Sequence, residues 1–192
     1  MAPMSSNNLV SDAHRTLLLN LAKQSIQHGL VKGKPLSVNV ADYPPELQER
    51  RATFVTLEIN NQLRGCIGTL EAERPLVLDV VQNAFSAAFK DPRFPPLKEI
   101  EFQQLQYHIS VLQPAVPMQF KSESDLVGQI RPGIDGLILE ENYHRGTFLP
   151  SVWESLPDVY DFWIHLKHKA GLPPNYWSDT LQVSRYTTES FS

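Results

Sequence analysis

The sequence predicts an α+β protein built on antiparallel sheets. Apolar and polar residues alternate in neighbouring short segments, as in residues 53–60 and 63–70, and this alternation is typical of two strands paired in a hairpin. Between such pairs lie longer segments whose apolar residues recur at helical spacing, as in residues 77–88. Strands that arrive as hairpins pair antiparallel, so helices and sheets are expected to form separate groups along the chain.

Composition and charge place the chain among ordinary globular proteins. It has 192 residues, of which 42% are apolar and 20% are charged, and 17 basic against 21 acidic residues give a net charge of −4. A chain of this length buries about 70% of the surface that its unfolded form exposes, so its core needs no metal or disulfide. Because non-specific nucleic-acid binding depends on an excess of basic residues, no nucleic-acid partner is expected.

The lone cysteine and the N-terminus favour a cytoplasmic protein. Cys66 is the only cysteine, so no intrachain disulfide forms and a reducing compartment is expected. Residues 1–10 are predicted to be a disordered leader, because the polar run at residues 5–8 offers almost nothing to bury. The leader lacks the apolar run of a signal peptide, and the sequence predicts no membrane span and no membrane partner.

The first half of the chain is predicted to hold one long helix and then a hairpin. Apolar residues at helical spacing begin after Ser11, and Gly29 stands where a left-handed cap ends such a helix. Residues 31–49 mix glycine and proline with little periodicity, which predicts a loop with one short strand near residues 36–40. The hairpin follows, and Asn60-Asn61 form its turn.

The remaining elements are predicted from caps, apolar stripes and alternation. Proline suits a first helical turn, Ser122 with Asp125 resembles a capping box, and glycine ends helices. These signals predict helices from Pro75 to the residue before Asp91, from Ser122 to Ile130 and from Asp158 to Gly171, and strands over residues 105–111, 137–140 and 146–149.

The segment Leu63-Arg64-Gly65-Cys66-Ile67-Gly68 is the most informative part of the sequence. If it is a regular strand, Arg64 and Cys66 share a face with α-carbons about 6.6 Å apart, so the guanidinium can lie near the thiol and favour the thiolate. Gly65 and Gly68 weaken a strand, which indicates that another group approaches the backbone closely. A small buried cysteine in a bulged strand is the alternative interpretation.

Three residues outside this segment are further candidates. Asp91 and Arg93 lie in a proline-rich loop after a predicted helix, where they either position a substrate or pair with each other. His108 lies on a predicted strand and points away from the face of Ile109. It serves as a base for Cys66 if their two strands pair, and is otherwise a half-exposed histidine of the sheet.

No metal and no cofactor are predicted. His165 and His168 have a spacing that binds metal on a helix, but Lys167 and Lys169 surround them with positive charge. The sequence holds no phosphate-binding loop and no dinucleotide fingerprint.

Several blocks of the sequence resemble one known family. The segment at residues 63–68 resembles the signature of the AMMECR-one family, in its AmmeMemoRadiSam system protein A type. Later blocks resemble that family in the same order, at residues 88–95, 109–112, 135–137, 146–150 and 169–172. The resemblance extends over residues 11–189, which are therefore interpreted as a single AMMECR-one domain made of two sub-lobes.

The resemblance implies an architecture and a site but no established reaction. Family members have two unequal lobes, each with an antiparallel sheet and helices, and both chain ends lie in the larger lobe. The signature faces a cleft between the lobes. Arg64 and Cys66 are the candidate catalytic residues, and the residues expected to line the cleft are Leu63, Gly65, Ile67, Gly68, Asp91, Arg93 and His108.

Two functional hypotheses follow. In the first, the chain is an enzyme or enzyme component that uses Cys66 as a thiolate nucleophile or substrate ligand, polarised by Arg64. In the second, the chain is a non-catalytic adaptor that holds a large substrate or protein in the cleft. The family's association suggests a Memo-like protein and a radical S-adenosylmethionine enzyme as partners.

Overall fold

A computed structural model describes residues 9–192, and these residues divide into two units. Unit 1 comprises the residues up to Leu112 together with Glu189–Ser192, and the smaller unit 2 comprises Gln113–Thr188. Each unit contains a four-stranded sheet with helices. The predicted α+β class with two unequal lobes is therefore confirmed. Within residues 9–192, no helix is long and apolar enough to cross a membrane.

From residue 9 onward, the structure describes four α-helices and four strands in unit 1. Its sheet has the strand order β2-β1-β3-β8, where the strands are β1 (Thr53–Ile59), β2 (Gln62–Gly68), β3 (Gln106–Leu112) and β8 (Thr188–Phe191). Its helices are α1 (Asp12–Lys32), α2 (Pro45–Gln48), α3 (Leu76–Phe89) and α4 (Glu99–Phe102).

The core of unit 1 forms on one face of its sheet. Val55 and Leu57 of β1 and Ile109 and Val111 of β3 are fully buried, and they share a core with the apolar stripes of α1 and α3. Because side chains alternate along a strand, the residues between them lie on the opposite face of the sheet. That opposite face carries the polar residues of the candidate site.

A buried polar network fixes α3 against the beginning of β1. The Asp79 carboxylate accepts hydrogen bonds from the backbone N–H and the hydroxyl of Thr53, at 2.9 and 2.6 Å. The Asn83 side-chain amide donates to the same carboxylate and to the Thr53 carbonyl. Burial raises the pKa of Asp79, and the hydrogen bonds from Thr53 and the charge of Arg74 oppose that rise.

Unit 2 has its own sheet and core. Its strand order is β4-β7-β5-β6, with β4 (Val116–Pro117), β5 (Gly136–Glu141), β6 (His144–Phe148) and β7 (Gln182–Tyr186), and its helices are α5 (Glu123–Gln129) and α6 (Val159–Lys169). Trp153 stacks on Phe162 with ring centroids 3.7 Å apart. Buried Lys167 donates to the Glu123 carboxylate at 2.6 Å, and the same oxygen accepts the indole N–H of Trp163. This pairing provides the counter-charge that a buried ammonium requires.

The structure corrects three predictions about the N-terminal region. Leu9 and Val10 are not part of a disordered leader, because Leu9 N–H donates to the Glu189 carboxylate and Val10, 2% exposed, lies in the core. The rest of that predicted leader, residues 1–8, lies outside the described residues.

The other two corrections concern the first helix and the loop that follows it. α1 continues past Gly29, which packs against Phe85 and Phe89 of α3, and it ends at Gly33 with a φ of 68°. Helical spacing alone cannot distinguish a glycine that allows close helix packing from one that caps a helix. In the predicted loop over residues 31–49, the strand expected near residues 36–40 is absent, and the short 3₁₀ helix Val40–Asp42 and the helix α2 form instead.

Candidate functional site

The signature segment forms β2, which lies at the edge of the unit 1 sheet. Its pairing with β1 slips by one residue: Gly65 lies opposite Leu57, whereas Leu63 lies opposite the adjacent Glu58. Arg64 is therefore the extra residue of a β-bulge, and a bulge interrupts the strict alternation of side chains along a strand. The two glycines of the segment left a bulged strand open as an alternative, but no feature of the sequence indicated that Arg64 would be its extra residue.

Arg64 is paired with Glu101 of α4. Its Nε donates to Glu101 Oε1 at 2.7 Å, and its Nη2 donates to Glu101 Oε2 at 3.1 Å and to the Pro95 carbonyl at 2.9 Å. Arg64 is only 9% exposed, and its hydrogen bonds lower the pKa of Glu101. The expectation that this guanidinium polarises Cys66 depended on an unbroken strand. The structure instead gives Arg64 a carboxylate partner.

Cys66 is half-buried and is contacted by a hydroxyl group. Thr56 of β1 lies directly opposite Cys66, and its hydroxyl donates to Sγ at 3.2 Å. The backbone N–H of Cys66 donates to Asp91 Oδ2 at 2.9 Å, so it points away from β1. Cys66 and Thr56 therefore form a pair of the non-hydrogen-bonded type, in which side chains on neighbouring strands approach most closely.

Asp91 and Arg93 pair with each other beside Cys66. Asp91 Oδ1 accepts from the backbone N–H and Nε of Arg93, and Oδ2 accepts from Nη2 at 2.8 Å. Asp91 is 4% exposed, whereas the Arg93 side chain is 55% exposed. The hydrogen bonds from Arg93 hold the pKa of Asp91 far below its ordinary value. The hydrogen bonds to Asp91 raise the pKa of Arg93. Arg93 is thus held by the same carboxylate that accepts the backbone N–H of Cys66.

Phe94 lies close to both arginines. The guanidinium carbons of Arg64 and Arg93 lie 5.7 and 5.6 Å from the centroid of its ring. These distances permit cation–π attraction to each arginine. The loop after α3 therefore contacts β2 through the Asp91 carboxylate, the Pro95 carbonyl and this ring.

His108 lies in the same row as Cys66 but does not contact it directly. Thr56 is opposite Cys66 on one side and opposite His108 on the other, because β1 separates β2 from β3. Two strand spacings put the α-carbons of Cys66 and His108 about 10 Å apart. Their strands do not pair, so the condition for His108 to act directly as a base is not met. Its Nε2 lies 3.3 Å from a carboxylate oxygen of Glu58.

The close approach expected at the glycines is made by the chain itself. A Cβ at Gly65 would collide with the backbone carbonyl of Ala87 in α3. A Cβ at Gly68 would collide with the Thr53 carbonyl and the Phe54 ring. Both glycines are therefore explained by internal packing, and the space they leave is already filled.

The other predicted residues have simpler surroundings. Ile67 packs against the core, and Leu63 is 41% exposed. His165 makes a hydrogen bond with the Asp161 carbonyl. Across residues 9–192, no group of three His, Cys, Asp or Glu side chains could hold a metal ion.

The sequence interpretation missed Thr56, Glu58, Phe94 and Glu101. Thr56 and Glu58 had a signal, because they alternate with buried residues of a predicted strand and so belong to its polar face. No signal in the sequence pointed to Glu101, since its pairing with Arg64 depends on the bulge.

The fold and the signature strand define the class to which the chain belongs. The AMMECR1 family model matches residues 19–191. The chain therefore belongs to the AMMECR1 family, as the resemblance to the AMMECR-one signature implied.

The relatives are archaeal proteins of similar length. A protein of Methanothermobacter thermautotrophicus is 38% identical over 189 residues, which are 95% of this chain and 95% of the relative. Protein MJ0810 of Methanocaldococcus jannaschii is 34% identical over 184 residues, which are 92% of this chain and 88% of the relative. The crystal structure of uncharacterized protein PH0010 from Pyrococcus horikoshii matches with a TM-score of 0.87 at 35% identity, covering 95% of this chain and 93% of the other.

Proposed function

We propose that this AMMECR1-family chain is an enzyme or enzyme component whose working group is the Cys66 thiolate. The observation that carries the proposal is the Thr56 hydroxyl, which donates to Sγ at 3.2 Å from the opposite strand. A thiolate is the nucleophilic form of cysteine, and hydrogen-bond donors and nearby cations favour it. Arg93 supplies the nearby positive charge, because the Asp91 carboxylate that accepts the Cys66 backbone N–H also holds the Arg93 guanidinium.

The surrounding residues have distinct parts in this proposal. Asp91 holds the backbone of Cys66 and the guanidinium of Arg93 through one buried carboxylate, so it fixes the cation relative to the thiol. Arg64 and Glu101 act further away, by anchoring the bulge of β2 and the loop that follows α3. In the reaction, a sulfur electron pair forms a bond to an electrophilic carbon of the substrate, and the leaving group departs with the electrons of the broken bond. A reducing, cytoplasmic location belongs to the same proposal, since the thiol must stay reduced.

A competition experiment tests the reactive thiol. The folded protein is mixed with an equimolar free thiol, N-acetylcysteine, and a limiting amount of iodoacetamide at neutral pH, and the intact mass is measured. Because Cys66 is the only cysteine, any thiol label on the protein reports on it. We expect most of the label on the wild-type protein and none on Cys66→Ser. Label that goes almost entirely to the free thiol would contradict the proposal.

A second candidate function is the adaptor, and it is supported by Leu63. This apolar side chain is 41% exposed on the edge strand of the sheet, where a protein partner can contact it. The candidate partners are a Memo-like protein and a radical S-adenosylmethionine enzyme. Co-purification of each candidate separates the two functions: an adaptor loses its partner in Leu63→Ser and keeps it in Cys66→Ser. Loss in neither variant would contradict the adaptor.

A further inference from the structure

Two adjacent depressions flank one exposed valine of helix α1 in unit 1. The first has a volume of about 410 Å³, and its lining includes Gln24, Gln27, Val31, Lys32 and Leu36. The second, of about 290 Å³, lies between α1 and α4, and its lining includes Gln27, Leu30, Val31, Glu99 and Phe102. Because Gln27 and Val31 line both, the two depressions are neighbours along the C-terminal half of α1. We refer to residues 23–36 and 99–103 together as the α1 surface.

Two apolar side chains of the α1 surface are largely exposed. Val31 is 73% exposed, and Ile100, on α4, is 78% exposed. Single apolar residues are common on protein surfaces, so their exposure alone indicates nothing. Val31, however, separates two depressions, so a bound segment can place one side chain on each side of it and cover it. This arrangement is typical of a surface that receives the apolar anchor residues of a peptide.

The charges around the α1 surface are mostly positive. Lys32 lines the first depression, and Lys34 is exposed in the loop after α1. The ammonium of Lys23 lies 6.0 Å from the centroid of the Phe102 ring, and Phe102 lines the second depression. Among the residues that the structure describes, no carboxylate forms an ion pair with any of these three lysines. Their charge is therefore available to a negatively charged ligand.

We propose that the α1 surface binds an acidic peptide segment of a protein partner. Apolar anchor residues of the peptide fill the two depressions and cover Val31, while its Asp and Glu side chains pair with the three lysines. Cys66 and Leu63 lie on β2 and take no part in this binding.

A peptide fits this surface better than an anionic membrane does. A bilayer presents a continuous layer of headgroups and cannot fill two separate depressions, whereas individual side chains can. The amides of Gln24, Gln27 and Gln103 line the depressions and can exchange hydrogen bonds with a peptide backbone. The Glu99 carboxylate lines the second depression, where it repels anionic headgroups but can accept a hydrogen bond from a peptide N–H.

Selection from a phage library of random peptides tests this binding on the folded full-length chain. The library is first depleted on immobilised Val31→Ser and is then selected on the wild-type chain, so that only peptides requiring Val31 are enriched. We expect these peptides to combine Asp and Glu with large apolar residues. A parallel depletion on Val116→Ser, which alters an exposed valine of unit 2, should remove the same peptides because it leaves the α1 surface intact.

The charge requirement is measured with the most enriched peptide, synthesised with a fluorescent label. Lys32→Gln combined with Lys34→Gln should weaken its binding about fivefold, because two exposed charge pairs are lost. The difference should shrink at high salt, which screens such pairs. Arg50→Gln removes an exposed cation of unit 1 outside both depressions and should leave the dissociation constant unchanged. Fluorescence anisotropy gives the dissociation constants.

Two further variants separate this binding from the proposed function. Cys66→Ser and Leu63→Ser should bind the labelled peptide as the wild type does, whether or not the thiol is reactive. Loss of binding in either variant would place the peptide on β2 and would overturn the proposal.

The remaining outcomes are equally decisive. The proposal is overturned if no peptide is enriched after depletion on Val31→Ser, or if the enriched peptides have no excess of Asp and Glu. It is also overturned if Arg50→Gln weakens binding as much as the lysine variant does, since binding then follows overall charge. If no peptide is enriched but the wild-type chain binds vesicles of phosphatidylserine and phosphatidylcholine, and Val31→Ser does not, the surface contacts a membrane instead. Thermal unfolding of each variant shows that the folded state is the one compared.

Discussion

Asp91 Oδ2 accepts the backbone N–H of Cys66 at 2.9 Å, and this bond joins the loop after α3 to the edge strand β2. The same carboxylate holds Arg93, so one buried group determines the position of the cysteine backbone and of the nearby cation. The sequence interpretation had placed Cys66 and Asp91 in one site, but had not given them this bond.

Replacing Asp91 by asparagine should destabilise unit 1. Asp91→Asn converts a charge-assisted pair into neutral hydrogen bonds, and we expect the free energy of unfolding to fall by about 2 kcal/mol. Urea unfolding at neutral pH measures this difference. Asp42→Asn alters an exposed carboxylate of the same unit and should have almost no effect. Equal stability of the two variants would contradict the assigned role of Asp91.

The contribution of Asp91 should also depend on pH. Its pKa in the folded state lies far below the ordinary 3.8, chiefly because of the hydrogen bonds from Arg93. A carboxyl group with a lower pKa in the folded state stabilises the fold above its unfolded pKa, and that contribution is lost as pH falls toward the folded pKa. The stability gap between wild type and Asp91→Asn should therefore shrink below pH 3.8. A gap that stays constant down to strongly acidic pH would contradict this electrostatic origin.

Removing the charge of Arg93 should slow the chemistry of Cys66. We expect Arg93→Met to react with iodoacetamide roughly threefold more slowly at neutral pH, because the lost cation favours the thiolate and its half-exposed position moderates the effect. Lys90→Met removes an exposed cation from the same region and serves as the control. Arg64→Met should slow the reaction less than Arg93→Met, since the partner of Arg93 also binds the Cys66 backbone, whereas Arg64 pairs with Glu101 of α4. The reverse order of the two arginine variants would restore the role that the sequence assigned to Arg64.

Breaking the pair between Arg64 and Glu101 should be costly. Glu101→Gln leaves a nearly buried guanidinium without its counter-charge, and we expect a loss of about 3 kcal/mol in the free energy of unfolding. Glu99→Gln changes an exposed carboxylate on the same short helix and should cost little. Denaturant unfolding of both variants gives the comparison. A loss in Glu101→Gln no greater than that in Glu99→Gln would show that the pair does not anchor the bulge.

Adding a methyl group at Gly65 should disrupt the packing of β2 on α3. The new Cβ would collide with the Ala87 carbonyl, which belongs to rigid helix backbone, so we expect Gly65→Ala to cost about 3 kcal/mol. Gly128→Ala, in helix α5, meets nothing within 4 Å and should be neutral or slightly stabilising. Thermal and urea unfolding distinguish these expectations. Wild-type stability in Gly65→Ala would show that the space beside β2 is open.

The sequence predicted the elements whose signals are local. The turn Asn60-Asn61 has positive φ at both residues, and Ser122 and Asp158 cap their helices as their positions indicated. Features that depend on tertiary contacts were not predictable. The position of the bulge at Arg64 is visible only in the pairing of β2 with β1, and a glycine that packs against α3, as Gly29 does, has the same spacing as one that caps a helix. Short strands such as β4 have too few residues for a pattern to appear.

The sequence predicted several residues of the candidate site but not the contacts between them. Cys66, Asp91 and Arg93 were recognised separately, one on a strand and two on a loop, and the fold brings them together. The cation nearest in sequence, Arg64, was chosen because a regular strand would present it beside the thiol. One extra residue in β2 was enough to direct Arg64 to Glu101, and Arg93 is instead the arginine whose carboxylate partner holds the cysteine backbone.

Alkylation of Cys66, compared between folded and urea-unfolded wild-type protein at mildly acidic pH, decides whether the fold activates the thiol. Both states contain the same single thiol, so the ratio of their rates isolates the effect of the folded surroundings. If Thr56 and Arg93 favour the thiolate, the folded protein reacts faster than the unfolded chain, although Cys66 is half-buried. A folded protein that reacts more slowly than the unfolded chain, with full reactivity recovered only on unfolding, would show that Cys66 is a packing residue and would contradict the account.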